Sequence, residues 1–179
     1  MTATAEQLAR CARGEIAAFA DLYQESAPRL FALALRILSK KEWAEEVLQE
    51  AFAKIWTRSG DYDLAKGSPL TWMGTIVRNA AIDRLRRLRR EKPLDLEPLL
   101  SVLKDEKPGP QEKAAQSLDS AALGRCLEEL SDEQRQSLSL AYWKGLSHGE
   151  ISSALSRPLG TVKAWVRRGL DQLRRCLER

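Results

Sequence analysis

Lysine and arginine recur near the end of this chain at a spacing suited to phosphates and base edges. From about Leu159, the apolar residues Val162, Trp165, Val166, Leu170, Leu173 and Leu177 return at three- and four-residue intervals, which predicts an amphipathic helix. Thr161, Lys163, Ala164, Arg167, Arg168, Arg174 and Arg175 fall outside that stripe. Guanidinium and ammonium groups bind phosphate, and a guanidinium can also pair with a base edge in the major groove. From Ala141 to Arg179 there are eight Lys/Arg against three Asp/Glu. A helix face that is merely solvated tends to interleave the signs, so the surplus points to nucleic acid, with a plain helical hairpin as the bland alternative.

A second cationic stretch lies in the middle of the chain. Within TWMGTIVRNAAIDRLRRLRR, the residues Trp72, Met73, Ile76, Val77, Ala80 and Leu85 can pack inward. Arg78, Asn79, Asp83, Arg84, Arg86, Arg87, Arg89 and Arg90 fill the remaining positions. Asn79 can donate to and accept from a base edge, and the arginines suit phosphates. Tyr62, in the loop before this helix, is better placed to meet a base than Trp72, which sits on the apolar stripe. Earlier still, Glu45, Glu46, Gln49, Glu50 and Lys54 share the polar face of a third predicted helix. That acidic face is either solvated or a dock for a basic partner.

No covalent chemistry is legible. The single histidine, His148, lies in a helix first turn, and Cys11, Cys126 and Cys176 are widely spaced without a CxxC pair. They read as buried or incidental thiols rather than zinc ligands. There is no phosphate-cradling glycine loop and no nucleophile with a histidine base. Catalytic residues, metal ligands and cofactors are all expected to be absent.

The elements that must position these groups are helices. Ser147 with Glu150 forms a capping-box pattern that starts a helix at about His148, with Ile151, Ala154 and Leu155 on its buried face. Pro158 then forces a break at about Ser156–Pro158, and the two helices make a helix-turn-helix pattern. Ser131 with Gln134 opens the preceding helix, and one before that runs from about Ser117 through Leu118, Ala122, Leu123, Cys126, Leu127 and Leu130. At the other end, Glu6 to about Ser39 reads as helix in two pieces, irregular at Gly14 and Pro28. Its core candidates are Leu8, Ile16, Phe19, Leu22, Tyr23, Leu30, Phe31, Leu33, Leu35, Ile37 and Leu38. Lys40 to Arg58 follows, with Ala44, Val47, Leu48, Ala51, Phe52, Ile55 and Trp56 inward. Gly60 to Pro69 is a loop, and Ser68 with Pro69 caps and opens the next helix.

At 179 residues with 44% hydrophobic content, the chain has room for one medium or two small helical domains. No strand-like alternation occurs, so the fold class is all-α. Charge divides the chain: Met1–Gly60 is neutral, Asp61–Arg90 is +4, Glu91–Leu140 is −5 and the remainder is +5. Pro93, Pro98, Pro108, Pro110 and Gly109 make residues 91–116 a Pro-rich acidic linker, with an apolar patch from Leu94 to Leu103 that can dock as a helical turn. The expected domains are therefore 1–90 and 117–179, the second a helix-turn-helix. Apolar runs are too short for a membrane span, no signal peptide is apparent, and a cytoplasmic location is expected.

Three stretches, taken in order, resemble the bacterial sigma factors of the extracytoplasmic-function type. WAEEVLQEAFAKIW is similar to that family's polymerase-binding helix, and DYDLAKGSPLTWMGTIVRNAAIDRLRR to its promoter-melting loop and helix. GLSHGEISSALSRPLGTVKAWVRRGL is similar to its C-terminal helix-turn-helix. The resemblance implies that Glu46, Gln49 and Glu50 meet core RNA polymerase. It places Tyr62, Asp63, Lys66, Gly67, Asn79, Asp83, Arg86 and Arg87 on the melted single strand of the minus-ten element. Thr161, Lys163, Ala164, Arg167 and Arg168 would read the duplex minus-thirty-five element. It also implies an anti-sigma factor as regulator. Glu46 stands where the family commonly has Asp, which lengthens the arm of that contact. Two other readings stay open on the sequence: a stand-alone helix-turn-helix regulator with a sensory or dimerisation domain, and a helical adaptor for an acidic protein.

Overall fold

The computed structural model describes residues 2–91 and 118–179, and divides the chain into two compact units, Met1–Lys92 and Pro93–Arg179. Among the described residues there are helices and short turns but no strand. The predicted linker prolines and the Leu94–Leu103 patch lie outside the described residues.

The first unit is built on α2 (Ile16–Leu38), which packs against α1 (Ala3–Ala12), α3 (Lys41–Arg58) and α4 (Pro69–Glu91). Leu8, Leu22, Leu30, Ile55, Met73 and Val77 are fully enclosed between them. Each such side chain contributes about 1.5–3 kcal/mol of burial, which is what makes an α-only unit of this size stable. Gly14 separates α1 from α2 with φ +82°, a backbone state that suits glycine. Glu15 then fastens the turn by accepting from Arg10 Nε at 2.7 Å and Arg13 Nη2 at 3.0 Å. Pro28 does not interrupt α2, contrary to the sequence expectation: packing on three sides holds the helix through the one backbone bond that proline cannot donate.

Two core assignments in this unit need correction. Ile16 is 77% exposed because it opens α2 beside the Gly14 turn, ahead of the first buried position, Ala18. Tyr23 is exposed at the edge of α2, its ring leaning on Phe52 at a centroid distance of 4.6 Å.

The second unit comprises α5 (Leu118–Glu128), α6 (Asp132–Trp143), α7 (His148–Leu155) and α8 (Leu159–Leu177). Both expected capping boxes are formed: Gln134 N and Glu150 N each donate to the serine three residues before. The break between α7 and α8 is made by Ser156 in the left-handed region and by extended Pro158. Leu140, Leu146, Ile151 and Val162 form one core cluster, and Leu130, Leu138 and Val166 another. Helix α8 packs on α5, α6 and α7, so it is the spine of the unit.

The buried face of α8 is rotated from the stripe that hydrophobicity suggests. Leu170 and Leu177 are exposed, while Gly169 is buried. A Cβ on Gly169 would stand 2.8 Å from Leu138 Cδ1, so α6 approaches α8 across a surface with no side chain. Hydropathy counts leucines and overlooks such a glycine. Leu123 is likewise exposed on α5 rather than part of the core.

The cysteines also differ from expectation. Cys126 and Cys176 form a disulfide with Cα atoms 5.7 Å apart, and Cys11 alone is free and buried. They are 50 residues apart in sequence, a separation that carries no motif, and meet because α5 packs on the end of α8. Around the bridge, Gln172 Nε2 donates to Glu129 O at 2.8 Å and Arg179 pairs with Glu129 at 2.6 Å.

Candidate nucleic-acid and polymerase interfaces

In the second unit, α7 and the turn at Ser156 present the N-terminal half of α8 to solvent. Val162 and Val166 anchor that half inward. Lys163, Arg167 and Arg168 are exposed beside the half-buried Thr161 and Ala164. Lys163, Ala164, Arg167, Arg168 and Asp171 line a shallow, open hollow of about 440 Å³. Among the described residues no carboxylate pairs with Lys163, Arg167 or Arg168, whereas Arg174 further along is taken by Glu178 at 2.9 Å. The first half of the helix therefore keeps its cations available for an outside anion, and the last turn does not. Four of the five predicted residues line this hollow together, and Thr161 lies on the same helix outside it. An α-helix with such a surface fits a major groove and can engage both phosphates and base edges.

In the first unit, the loop between α3 and α4 is an ordered turn. Asp63 Oδ1 accepts from Ala65 N at 3.0 Å, and Lys66 Nζ lies 3.3 Å from the same carboxylate. The backbone N–H, and then the lysine, hold the Asp63 carboxyl below its ordinary value. Tyr62 Oη donates to Gly67 O at 3.0 Å, and the tyrosine ring meets Trp72 edge-on at 5.8 Å. Gly67 has φ +145°. Leu64, 56% exposed, stands at the tip with Ala65 and Lys66. Ser68 Oγ then accepts from Thr71 N and starts α4.

Helix α4 buries Met73, Val77, Ala80, Ala81 and Ile82. That leaves Asn79, Asp83, Arg86 and Arg87 exposed along its outer side. Asn79 is exposed, and its Oδ1 accepts from Arg78 Nη1 at 3.4 Å. The loop and this side of α4 together offer hydrogen-bonding and cationic groups to an extended strand.

Helix α3 carries the acidic face. Ala44, Val47, Leu48, Ala51, Phe52 and Ile55 are buried, and Glu46, Gln49 and Glu50 are exposed. Glu45 is met by Lys41 at 3.6 Å. Glu46 is met from α4 by Arg84 Nη2 at 3.2 Å, a contact that the sequence reading missed. Arg84 reads from sequence as one more cation of the α4 outer face. It lies at the boundary of that face, where the longer arm of Glu46 can reach it. Among the described residues no group of three or more His, Cys, Asp or Glu side chains is arranged to hold a metal ion. None of the described helices is long and apolar enough to cross a membrane.

Comparison with known proteins gives a consistent picture. The family description "Sigma-70 region 2" matches residues 22–91, and "Sigma-70, region 4" matches residues 120–173. The ECF RNA polymerase sigma factor SigK of Mycobacterium ulcerans (strain Agy99) is 34% identical over 178 residues, covering 96% of this chain and 91% of that protein. The ECF RNA polymerase sigma factor RpoE of Cereibacter sphaeroides is 34% identical over 158 residues, covering 88% of this chain and 85% of that one. Among solved structures, Rhodobacter sphaeroides SigE in complex with the anti-sigma ChrR is 32% identical, covers 97% of each chain and has a TM-score of 0.49.

Proposed function

This chain belongs to the ECF RNA polymerase sigma factor family, and from that premise we propose how its two units divide the work of starting transcription. The exposed Glu46, Gln49 and Glu50 on α3 dock on core RNA polymerase. The turn at Tyr62, Asp63, Lys66 and Gly67, with Asn79, Asp83, Arg86 and Arg87 on α4, receives the melted strand of the minus-ten element. Thr161, Lys163, Ala164, Arg167 and Arg168 on α8 read the minus-thirty-five duplex. Under this proposal residues 1–90 and 117–179 are the two functional domains, joined by residues 91–116.

The observation that carries this reading is the placement of charge. The acidic face lies on α3, while Lys163, Arg167 and Arg168 on α8 have no carboxylate partner among the described residues. An acidic face suits a basic protein surface and repels DNA; an unneutralised cationic helix does the reverse.

Strand opening asks for no covalent step. A base leaving the stack costs a few kcal/mol, which a receiving loop and phosphate contacts offset. The chain is thus a binding subunit rather than an enzyme, and it acts in the cytoplasm with polymerase. An anti-sigma factor that covers the α3 face, the α8 face or both is the proposed control. The test is in vitro transcription with purified core enzyme. Promoter-dependent transcripts that require this chain support the proposal. Tight operator binding without polymerase, and no transcription with it, would identify a stand-alone regulator instead.

A further inference from the structure

We propose that Tyr62 is a positioning residue: braced by Trp72 and bonded to Gly67, it clasps the α3–α4 turn shut so that the tip, Leu64 to Lys66, meets an unstacked base already in shape. The inference deepens the minus-ten role proposed above and rests on it. It also reassigns Tyr62, which sequence alone presents as the aromatic that would meet the base itself.

Three observations place the clasp. The hydroxyl of Tyr62 donates across the mouth of the turn to Gly67 O at 3.0 Å. The ring is half-buried and meets Trp72 edge-on at 5.8 Å, with Trp72 held on the first turns of α4. At the far side of the bond, Gly67 takes φ +145°, a conformation that returns the carbonyl toward Tyr62 and disfavours any other residue. Inside the closed turn, Asp63 bonds Ala65 N and Lys66 N donates to Asp63 O at 3.0 Å. What is left pointing outward is Leu64, together with the Ala65–Lys66 edge. A tyrosine bonded through its hydroxyl to Gly67 and packed against Trp72 would have to give up both contacts to swing out and follow a base.

The physical gain is preorganisation. A single strand has no fixed shape, so binding it orders both partners, and each group ordered in advance lowers that cost. A turn of six residues has several accessible shapes unless something spans its mouth. The Tyr62–Gly67 bond spans it.

The experiment uses holoenzyme assembled with the full chain, and a labelled oligonucleotide of the non-template minus-ten sequence. Tyr62→Phe keeps the ring on Trp72 and removes only the clasping bond. It should weaken the oligonucleotide about fivefold, the scale of one hydrogen bond, and narrow the discrimination between cognate and base-substituted oligonucleotides. Polymerase affinity should stay unchanged, and the unfolding midpoint should fall only slightly, as expected for the loss of one exposed hydrogen bond. In the free chain, amide exchange at Lys66 should quicken to match. Trp72→Phe should act in the same direction, and the double variant should lose less than the two separate losses combined, because both act through one turn. If Tyr62 instead stacks on the base, Tyr62→Phe will bind like wild type with Lys66 exchange unaltered, and the inference is overturned. Failure of the parent reading looks different: wild-type holoenzyme would not bind the oligonucleotide at all. Lys66 exchange in the Tyr62→Phe free chain would still decide whether the clasp exists.

Discussion

Arg167 carries the sharpest prediction at the scale of single residues. It is exposed on α8, one turn from Lys163 and without a carboxylate partner among the described residues. Arg167→Ala should cost about 1–3 kcal/mol of discrimination between promoter sequences if its guanidinium pairs with a base. If it binds phosphate alone, affinity falls evenly across sequences and the salt dependence flattens; competition binding at two salt concentrations distinguishes the cases. Asp63 supplies a pH test. Its carboxyl is held below the ordinary value, first by the Ala65 N–H and then by Lys66. A lowered folded-state value means that the turn's bond is fully present above the unfolded value and is lost as pH falls through the lowered one. The Ala65 amide shift, followed by NMR, should therefore titrate below an aspartate that lacks such partners, and Asp63→Asn should abolish that transition. How legible these residues were depended on what marks them. Lys163 and Arg167 stand out because charge and helical period are both written in the chain. The Glu46–Arg84 contact was not legible, because it joins residues 38 apart on two helices whose packing no local pattern records.

At the scale of elements, the sequence announces helix ends better than helix faces. Ser131 with Gln134 and Ser147 with Glu150 are local chemistry, and both boxes form where the spacing puts them. The face of α8 is decided by its neighbours, which is why Leu170 is exposed and Gly169 is buried against Leu138. Gly169→Ala tests this close approach. Alanine favours helix over glycine by about 1 kcal/mol, yet its Cβ would meet Leu138 Cδ1 at 2.8 Å. Overpacking costs about 1–3 kcal/mol, so a net loss of about 1 kcal/mol is expected. In a Leu138→Ala background, itself destabilising because Leu138 is core, Gly169→Ala should cost less than it does alone, since the clash disappears, and urea unfolding of wild type, the two single variants and the double variant measures the coupling. The Cys126–Cys176 bridge adds a second tie between α5 and α8. For a loop of 50 residues, the chain-entropy argument puts its removal at about 4 kcal/mol. Cys176→Ser should lower protection of α5 and α8 amides in hydrogen exchange while leaving α1 to α4 unaffected. Equal loss in both units would show that they do not unfold independently.

At the scale of the whole molecule, the proposed division of labour gives duplex DNA only the exposed cationic half of α8 and reserves the α3–α4 turn for bases already out of the stack. Either contact alone should be weak, so the free protein should bind duplex promoter poorly. Under that proposal, polymerase holding the α3 face would make the remaining contacts intramolecular, and their affinities would combine through effective concentration rather than simple addition. Two sets of changes then separate the steps. Glu46→Ala with Gln49→Ala should abolish transcription by releasing the chain from polymerase. The fold should survive, because both residues are exposed, and the Glu46–Arg84 pair, itself solvent-accessible, contributes at most about 1 kcal/mol. The DNA contact of α8 should also survive, since no described residue of its unit is altered. Asn79→Ala should fail at a later point: polymerase is still bound and the minus-thirty-five duplex still engaged, but the minus-ten thymines lose their permanganate reactivity. A Glu46/Gln49 variant that transcribes normally would remove α3 as the docking face, and an Asn79 variant with unchanged permanganate reactivity would remove α4 from strand opening. Because the two variants stop initiation at different steps, each part of the division of labour stands or falls by its own measurement.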